Sequence, residues 1–363
     1  MHLTNLHVAR FRNIVSADLT LAPGINLLVG ENGAGKTALL EAIFMLSRGR
    51  SFRSSQTNLL VQRGTEDLVV RGNVVQGGQA QVLARQKSAT GPNYARIDGE
   101  NVSLQSKFAE LLPLQTLLPG VSDLVLDGPG IRREFMDWGL FHVEQRYLSA
   151  ARRYRRALSQ RAAWLKTSPG QPFQSDPWVG ALVDAGVSIA QWREAFVAQL
   201  NGILKETLGA LDSSLVCDLA YAGGQFGVSE DQALASLEAV FEKDRRFGTT
   251  QIGPHRADME IRVEGVAAKN VVSRGQAKLL ASALVLSYAT VLIQKTGRRP
   301  LLLLDDLGAE LDQEHRAGFF AQLRGMGCQV IATTTEAPAH LAGSVGIEDL
   351  QVFHVEQGRF TQQ

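Results

Sequence analysis

One stretch of the chain has the residue types and spacing needed to hold a phosphate group: Gly30-Glu31-Asn32-Gly33-Ala34-Gly35-Lys36-Thr37. It fits the pattern G-x-x-x-x-G-K-[ST] and lies between the apolar runs Ile25–Val29 and Ala38–Phe44. Those runs predict the strand and the helix that such a loop requires. The glycines let the backbone curl around phosphate oxygens, Lys36 can reach the outer phosphates, and the Thr37 hydroxyl can hold Mg²⁺. The sequence therefore predicts a nucleotide-binding loop.

Two carboxylates follow a continuous apolar strand in the last quarter of the chain. The strand is Leu301–Leu304, and Asp305 and Asp306 come directly after it. In a phosphate-loop enzyme, an acid in the place of Asp305 anchors Mg²⁺, and Asp306 would then orient or deprotonate an attacking water. Two acids after a strand can also be a simple helix cap, but the phosphate loop favours the catalytic role.

A helix start precedes this strand at Ser273-Arg274-Gly275-Gln276. Ser followed by Gln three residues later is a capping box. The same arrangement leaves free N–H groups and the positive end of the helix dipole, which suits a phosphate. The two interpretations are compatible.

The composition indicates a soluble globular protein. The chain has 363 residues, 45% of them hydrophobic, and a net charge of +1, so binding of a polyanion needs a local basic patch. Cys217 and Cys328 lack metal-ligand spacing and are predicted to fill core positions, which fits a reducing cytoplasm. The N-terminal residues lack the apolar stretch of a signal peptide, and Ala277–Ile293 is predicted to be a buried helix. We expect a cytoplasmic protein without a membrane span.

The order of patterns along the chain predicts a mixed region, a helical region and a second mixed region. Residues 3–29 indicate two β segments, and residues 68–102 an antiparallel meander. From about residue 132 to residue 210 the apolar period is helical and predicts an antiparallel hairpin with a loop at Thr167–Pro172. The segment Gly253–Asp258 is either a turn with a salt bridge or a place where His255 and Arg256 meet a phosphate.

Positive charge is concentrated in the first helix of the hairpin and just before it. Residues 132–166 contain nine basic and three acidic side chains, a net charge of +6, which leaves the rest of the chain at −5. Such a basic helix face suits contact with a nucleic-acid backbone, although a solvated arginine face is the common alternative. The candidate DNA-binding residues are Arg152, Arg153, Arg155 and Arg156.

Taken together, these motifs resemble those of ABC-type ATPases. Ser273–Gln276 resembles the signature motif, and Asp305-Asp306-Leu307-Gly308-Ala309-Glu310-Leu311-Asp312 resembles a Walker B motif that continues into the D-loop. The motif order resembles the head of SMC-like DNA-repair ATPases. With Phe11-Arg12-Asn13, Gly128–Arg133 and Gly253–Asp258 added, the chain resembles the RecF family of bacterial recombination mediator ATPases.

The resemblance implies an α/β fold, an ABC-type P-loop ATPase head of mixed sheets and helices with an inserted, mainly helical arm. The corresponding division is 1–112 for the first part of the head, 113–250 for the arm and 251–363 for the second part of the head. ATP with Mg²⁺ would be bound by Gly30–Thr37, Arg12 and Asn13 of one subunit and capped by Ser273, Gly275 and Gln276 of another.

The resemblance also implies partners. ATP would drive a homodimer that clamps double-stranded or gapped DNA, and slow, DNA-stimulated hydrolysis to ADP and phosphate would release it. Proteins of this family act with RecO and RecR and help RecA replace single-strand-binding protein at gaps.

Three positions complicate the comparison with ABC-type ATPases. Asp306 stands where most members have Glu, and its shorter side chain predicts slow hydrolysis. Thr335 stands where transporters usually have a switch His. Gln115 is the candidate for the Q-loop glutamine and metal ligand, with Gln105 as an alternative.

Other functional classes share part of this pattern. The nucleotide-binding subunit of an ABC transporter has the same loop and signature, but it lacks the arginine-rich helical insertion and usually has the switch His. A small-molecule kinase or GTPase has no use for the signature helix, and the chain lacks the Asn-Lys-x-Asp motif that reads guanine. A purely structural dimer would leave Asp305 and Asp306 without a role.

Overall fold

The computed structural model describes residues 1–54, 56–168, 170–310, 313–337 and 350–363. The chain forms two compact units: the first contains Met1–Val121 and Leu292–Gln363, and the second contains Ser122–Val291. Pro169 of the predicted hairpin loop, and Leu311 and Asp312 of the predicted D-loop, lie outside the described residues.

An antiparallel sheet forms one layer of the first unit. Its six strands lie in the order β2-β1-β4-β5-β6-β7. Their bounds are β1 (His2–Phe11), β2 (Ile14–Thr20), β4 (Asp67–Gln76), β5 (Gln79–Ser88), β6 (Tyr94–Ile97) and β7 (Glu100–Asn101). The predicted meander is confirmed, because β4 to β7 pair in chain order, each antiparallel to the last.

A largely parallel sheet forms the second layer of this unit. Its strand order is β15-β14-β3-β13-β12-β8, with all strands parallel except β15. The bounds are β3 (Ile25–Val29), β8 (Leu114–Leu117), β12 (Leu301–Leu304), β13 (Val330–Thr334), β14 (Leu350–Glu356) and β15 (Arg359–Gln362). The predicted strand before the phosphate loop, β3, therefore lies between β13 and β14.

One helix fills the space between these two sheets. The helices of the unit are α1 (Lys36–Arg48), α2 (Gln105–Leu111), α10 (Leu307–Glu310) and α11 (Gln313–Met326). Eleven of the 13 residues of α1 are buried, and the helix packs against β1, β4 and β13. A helix that is apolar on all sides is stable only when it is enclosed in this way. The burial of α1 between the sheets thus determines the position in space of the phosphate loop's last residues, which begin the helix.

Buried amide side chains connect the sheets. The Gln329 side chain accepts a hydrogen bond from the Leu3 backbone N–H (2.7 Å) and donates one to the Leu3 carbonyl oxygen (2.8 Å). Because Gln329 immediately precedes β13 and Leu3 lies in β1, this pair of bonds fixes one sheet against the other.

Helices dominate the second unit. They are α3 (Asp123–Leu126), α4 (Pro129–Val143), α5 (Tyr147–Thr167), α6 (Val179–Leu211), α7 (Glu230–Ala239), α8 (Phe241–Phe247) and α9 (Arg274–Thr296), of which the last five residues belong to the first unit. Its three-stranded antiparallel sheet has the order β11-β10-β9, with β9 (Cys217–Ala222), β10 (Asp258–Val263) and β11 (Val266–Ala267). The predicted helical hairpin is confirmed, since α5 packs on α6.

The boundaries of the second unit differ from the predicted arm, 113–250. The observed unit continues past residue 250 because β10 pairs along its whole length with β9, and it includes α9 as far as Val291. Arg132 of α4 also holds Asp258 with two hydrogen bonds of 2.8 Å. Patterns of local periodicity do not reveal a pairing between strands some 40 residues apart.

The predicted buried helix corresponds to α9. It has the length and hydropathy of a membrane-spanning helix, but 78% of its most apolar window is buried inside the protein. Buried core helices of soluble proteins have the same properties. The Tyr288 hydroxyl in α9 donates a hydrogen bond to the Trp138 carbonyl oxygen (3.3 Å).

A buried ion cluster joins α5 to the segments around it. Arg161 is fully buried and donates hydrogen bonds to Asp176 (2.7 Å), Asp244 (2.5 Å) and the Thr250 hydroxyl (2.8 Å). Burial raises the pKa of Asp244, while the hydrogen bond from Arg161 acts in the opposite direction. Arg161, one of the nine basic residues in the charged segment, is therefore a structural residue.

Replacing Arg161 should destabilise the second unit selectively. Arg161→Leu leaves two carboxylates buried without their cation, and we expect a loss of about 3–5 kcal/mol in the free energy of unfolding. Urea unfolding followed by tryptophan fluorescence measures this unit, because Trp138, Trp164, Trp178 and Trp192 all lie in it.

The matched control is Arg156→Leu on the exposed face of the same helix, which should change stability by less than about 0.5 kcal/mol. Equal losses in the two variants would contradict a structural role for the cluster.

Candidate functional site

A cleft of about 950 Å³ in the first unit brings residues of the phosphate loop, the two acids and the Arg12-Asn13 turn together. Its volume is that of a small-molecule site. The predicted residues that line it are Arg12, Asn13, Asn32, Gly33, Gly35, Lys36, Thr37, Asp305 and Asp306. Thr335, which stands where transporters usually have a switch His, also lines it.

The phosphate loop has the backbone geometry that its glycines allow. Gly33 and Gly35 have φ angles of 81° and 116°, in the left-handed region that favours glycine. The Lys36 ammonium group donates hydrogen bonds to the carbonyl oxygens of Gly30 (2.6 Å) and Glu31 (2.9 Å). Burial lowers the pKa of Lys36, whereas the charges of Asp305 and Asp306 act to raise it. The loop thus holds the Lys36 ammonium group close to the N-terminus of α1.

Thr37 and Asp305 form a pair of oxygen ligands suited to Mg²⁺. The Thr37 hydroxyl oxygen lies 3.0 Å from each carboxylate oxygen of Asp305. The hydroxyl donates a hydrogen bond to this carboxylate, and a hydroxyl oxygen beside a carboxylate is the kind of oxygen donor set that Mg²⁺ prefers. Within the described ranges there is no group of three or more His, Cys, Asp or Glu residues that could hold a metal. Phosphate oxygens and waters would complete such a shell, as is usual for Mg²⁺.

Thr333 connects the two acids, and the sequence analysis did not identify it. Its hydroxyl donates a hydrogen bond to Asp305 Oδ1 (2.7 Å) and accepts one from the Asp306 backbone N–H (2.8 Å). Asp306 has a φ angle of 54°, which is unusual for a residue with a side chain. Strain of this kind persists only where neighbouring groups impose it. The signal in the sequence is the run Thr333-Thr334-Thr335 at the end of an apolar strand.

Arg12 and Asn13 lie in the turn between β1 and β2, beside the phosphate loop. Arg12 has a φ angle of 53° and donates hydrogen bonds of 2.6 and 2.7 Å to the two oxygens of the fully buried Glu41. The Asn13 side chain donates a hydrogen bond to the Gly33 carbonyl oxygen (3.1 Å). Sequence reasoning missed Glu41, although a carboxylate inside an apolar helix signals a buried partner.

The segment between α1 and β4 forms the remaining wall of the cleft. Its backbone is hydrogen-bonded to β1 and the turn that follows, from Arg12 N–H to the Leu60 carbonyl oxygen (2.7 Å) and from Gln62 N–H to the Arg10 carbonyl oxygen (2.9 Å). The lining residues from this segment are Arg53, Asn58, Leu59, Val61, Gln62 and Arg63. The segment carries no recognisable motif. Its place in the cleft wall results from its hydrogen bonds to β1 and the turn that follows, and the sequence does not reveal that long-range pairing.

The two Q-loop candidates do not line the cleft. Gln115 is 5% exposed in β8, paired in register with Leu302. Its partner Leu302 lies three residues before Asp305, whereas Leu117 pairs with Leu304 at the end of β12. The Gln105 side chain instead accepts a hydrogen bond from Arg85.

The predicted signature residues lie at the start of α9 in the second unit. Ser273 and Gln276 form the predicted capping box, with bonds of 3.2 Å and 2.9 Å to each other's backbone N–H. Both residues and Gly275 are exposed. An exposed helix start with free N–H groups can accept an anion.

The segment Gly253–Asp258 adopts the turn with a salt bridge. Asp258 pairs with Arg132, and both ring nitrogens of His255 are engaged, with the Tyr154 hydroxyl (2.9 Å) and the Thr250 carbonyl oxygen (3.0 Å). Burial lowers the pKa of His255. Arg256 remains exposed.

The four candidate DNA-binding arginines all lie on the exposed face of α5. Arg153 pairs with Asp184 (3.0 Å), and Arg155 donates a hydrogen bond to the Ala151 carbonyl oxygen (3.3 Å). In the part of the chain that the structure describes, Arg152 and Arg156 have no ion-pair partner. The basic segment therefore divides into buried arginines that hold the fold and exposed arginines that face solvent.

Comparison with known proteins identifies the family. Residues 2–359 match the family model of the RecF/RecN/SMC N terminal domain. The chain is 37% identical over 366 residues to the DNA replication and repair protein RecF of Shewanella loihica, and 37% identical over 364 residues to that of Shewanella baltica, covering 99% of each protein. The chain belongs to the RecF family.

Solved structures agree with this assignment. A structure of the recombination mediator protein RecF with ATP, from the RecFOR pathway, is 25% identical and covers 100% of this chain and 97% of its own, with a TM-score of 0.87. An SMC head bound to the C-terminal winged-helix domain of ScpA is 13% identical with a TM-score of 0.60, which shows a shared fold. The predicted ABC-type ATPase head is therefore confirmed, and the ABC-transporter alternative is not favoured.

Proposed function

We propose that this RecF-family protein is an ATP-dependent DNA-binding protein of recombinational repair. The observation that carries the proposal is the cleft in which Lys36, Thr37 and Asp305 meet, with the Thr37 hydroxyl 3.0 Å from both Asp305 oxygens. ATP is the nucleotide named for a structural relative. The names of the relatives supply the biological process, which is DNA replication and repair.

The cleft residues have distinct roles in this proposal. Backbone N–H groups of Gly33–Thr37 and the Lys36 ammonium group would bind the phosphates. Thr37 and Asp305 would hold Mg²⁺, which would supply positive charge to the phosphate oxygens. Asp306 orients the water that attacks the γ-phosphate, giving ADP and phosphate. Its side chain is one methylene shorter than the Glu of most ABC-type ATPases, which supports a slow reaction suited to a switch.

DNA binding and assembly depend on the second unit. The exposed capping box at Ser273–Gln276 would bind the γ-phosphate of ATP held by a second subunit, so that ATP drives a homodimer. The arginine face of α5 would bind the backbone of double-stranded or gapped DNA. The role that we propose is cytoplasmic, with RecO and RecR, in helping RecA at single-strand gaps, and the RecFOR pathway named for a structural relative supports the part with RecO and RecR.

Sedimentation with ATP and Mg²⁺, with and without gapped duplex DNA, tests the proposal at two salt concentrations. We expect an ATP-dependent dimer that binds DNA more weakly at the higher salt concentration. A monomer indifferent to both ligands would reject the proposal.

Two substitutions should separate ATP binding from dimer formation. Lys36→Ala removes the cation that binds the phosphates and should abolish both. Ser273→Arg places a bulky side chain at the helix start, so it should leave ATP binding by the monomer unchanged and abolish the dimer in light scattering. Ser213→Arg, at an exposed serine elsewhere in the second unit, is the control. Equal loss of ATP binding and dimerisation in Ser273→Arg would show that the signature does not act on a second subunit.

Thr333 should support hydrolysis by holding both acids. Thr333→Val removes the hydroxyl that bonds Asp305 and the Asp306 N–H, and we expect a decrease of about 10- to 100-fold in kcat for ATP hydrolysis with little change in ATP affinity. Thr333→Ser retains the hydroxyl and should retain most of the activity. If serine and valine reduce kcat equally, the hydroxyl has no such role.

Charge reversal on α5 should weaken DNA binding and its salt dependence. Arg152→Glu with Arg156→Glu removes two candidate phosphate contacts, and the slope of log K against log salt should flatten by up to about 2. Lys243→Glu with Arg246→Glu makes the same change in net charge on the exposed face of α8 and should leave the slope nearly unchanged. An unchanged slope in the α5 variant would show that these arginines are only solvated and do not contact DNA.

A further inference from the structure

The phosphate loop contacts a hairpin that none of the known motifs includes. Strand β3 leads into the loop, and its neighbour on the side away from the acids is β14, with His354 in register with Val29. Strand β14 continues through Gln357 and Gly358 into β15. The turn of this hairpin therefore lies next to the loop.

Contact between the hairpin and the loop is made by backbone atoms. The Gly358 N–H donates a hydrogen bond to the Ala34 carbonyl oxygen (2.7 Å). A Cβ atom on Gly30 would overlap the Val355 carbonyl oxygen, and one on Gly35 would lie 3.3 Å from the Gly358 Cα atom. A side chain at Gly30 would force the hairpin and the loop apart, and one at Gly35 would require a small shift.

Gly358 is also held from the other side. A Cβ atom on Gly358 would overlap the carbonyl oxygen of Asn13, whose side chain donates a hydrogen bond to the Gly33 carbonyl oxygen. The turn with Asn13 and the turn with Gly358 thus contact each other and also the loop. Together they fix the carbonyl groups of Gly33 and Ala34, and with them the direction of the N–H groups that follow.

Other turns of the same type show that the contact is specific. Gln357 and Gly358 have φ angles of 47° and 79°, and the turn between β6 and β7 has 51° at Asp98 and 86° at Gly99. Two positive φ angles in a two-residue hairpin turn favour glycine at the second position for conformational reasons alone. A Cβ atom on Gly99 would meet nothing within 4 Å. Glycine is therefore required at Gly358 both for the positive φ angle and for the close approach of Asn13, whereas at Gly99 only the φ angle favours it.

We propose that Gly358 is a positioning residue of the phosphate loop, and that the β14–β15 hairpin is part of the nucleotide site although it does not line the cleft. The inference rests on the proposed binding of ATP at Gly30–Thr37. Gly358 holds the Ala34 carbonyl oxygen, and the absence of a side chain lets the turn approach Asn13 and Gly35. The loop is then already in its binding conformation before the phosphates arrive, which lowers the ordering cost of binding.

Paired glycine substitutions test the proposal. Gly358→Ala and Gly99→Ala introduce the same conformational strain in the same kind of turn, but only Gly358→Ala displaces the loop. We expect Gly358→Ala to weaken ATP binding by about tenfold or more, measured by calorimetry with Mg²⁺. Gly99→Ala should bind ATP as the parent protein does.

A second measurement covers the case in which Gly358→Ala does not fold. In the parent protein, ATP with Mg²⁺ should slow amide hydrogen exchange in peptides from 350–363 together with those from the loop, and leave peptides from 94–101 unchanged. An unchanged hairpin, or equal ATP affinity in the two variants, would overturn the inference while ATP binding stands. Failure of the parent protein to bind ATP would overturn the proposed function and this inference with it.

Discussion

The enclosure of α1 between the two sheets is the constraint on which the rest of the first unit depends. The helix is buried around nearly its whole circumference, so it can occupy only the space between an antiparallel and a parallel layer. Its N-terminus then falls where β3 ends. The free N–H groups of that terminus face the cleft in which Asp305 and Asp306 lie. The site is thus a consequence of packing, and the phosphate loop is the short connection that the packing requires.

Much of this arrangement is readable from the sequence because its signals are local. The glycine pattern and the apolar runs on both sides of it form one continuous stretch, residues 25–44, and the two acids directly follow the apolar run that ends at Leu304. The meander and the helical hairpin have clear periods of two and 3.6 residues. Local patterns of this kind do not depend on knowing which distant strand will be a neighbour.

The parts that were missed depend on such neighbours. Thr333 bonds Asp305 because β13 pairs with β12, and Gly358 contacts Ala34 because β14 pairs with β3. The run of threonines at the end of an apolar strand marks Thr333 as unusual, but nothing in the sequence shows which strands pair with which. Burial is also decided by tertiary packing: Arg156 and Arg161 lie on one helix and have the same chemistry. Nevertheless, one is exposed and the other is fully buried between two aspartates. Counting charges along a segment therefore overstates the charge that is free for a partner.

The position of β3 inside the parallel sheet separates two requirements of the site. On one side, β13 presents Thr333, which holds the acids that would act on the metal and the water. On the other side, β14 and its turn hold the backbone of the loop through contacts that only glycine permits. The separation is not complete, because β13 also contacts the loop: the Gly30 N–H donates a hydrogen bond to the Thr334 carbonyl oxygen (3.4 Å). The loop is joined to the acids as well, since the Thr37 hydroxyl lies 3.0 Å from both carboxylate oxygens of Asp305. The turn of β14 and β15 is therefore connected to the acids through the loop and Thr37, so that a shift of the loop backbone also moves a partner of Asp305.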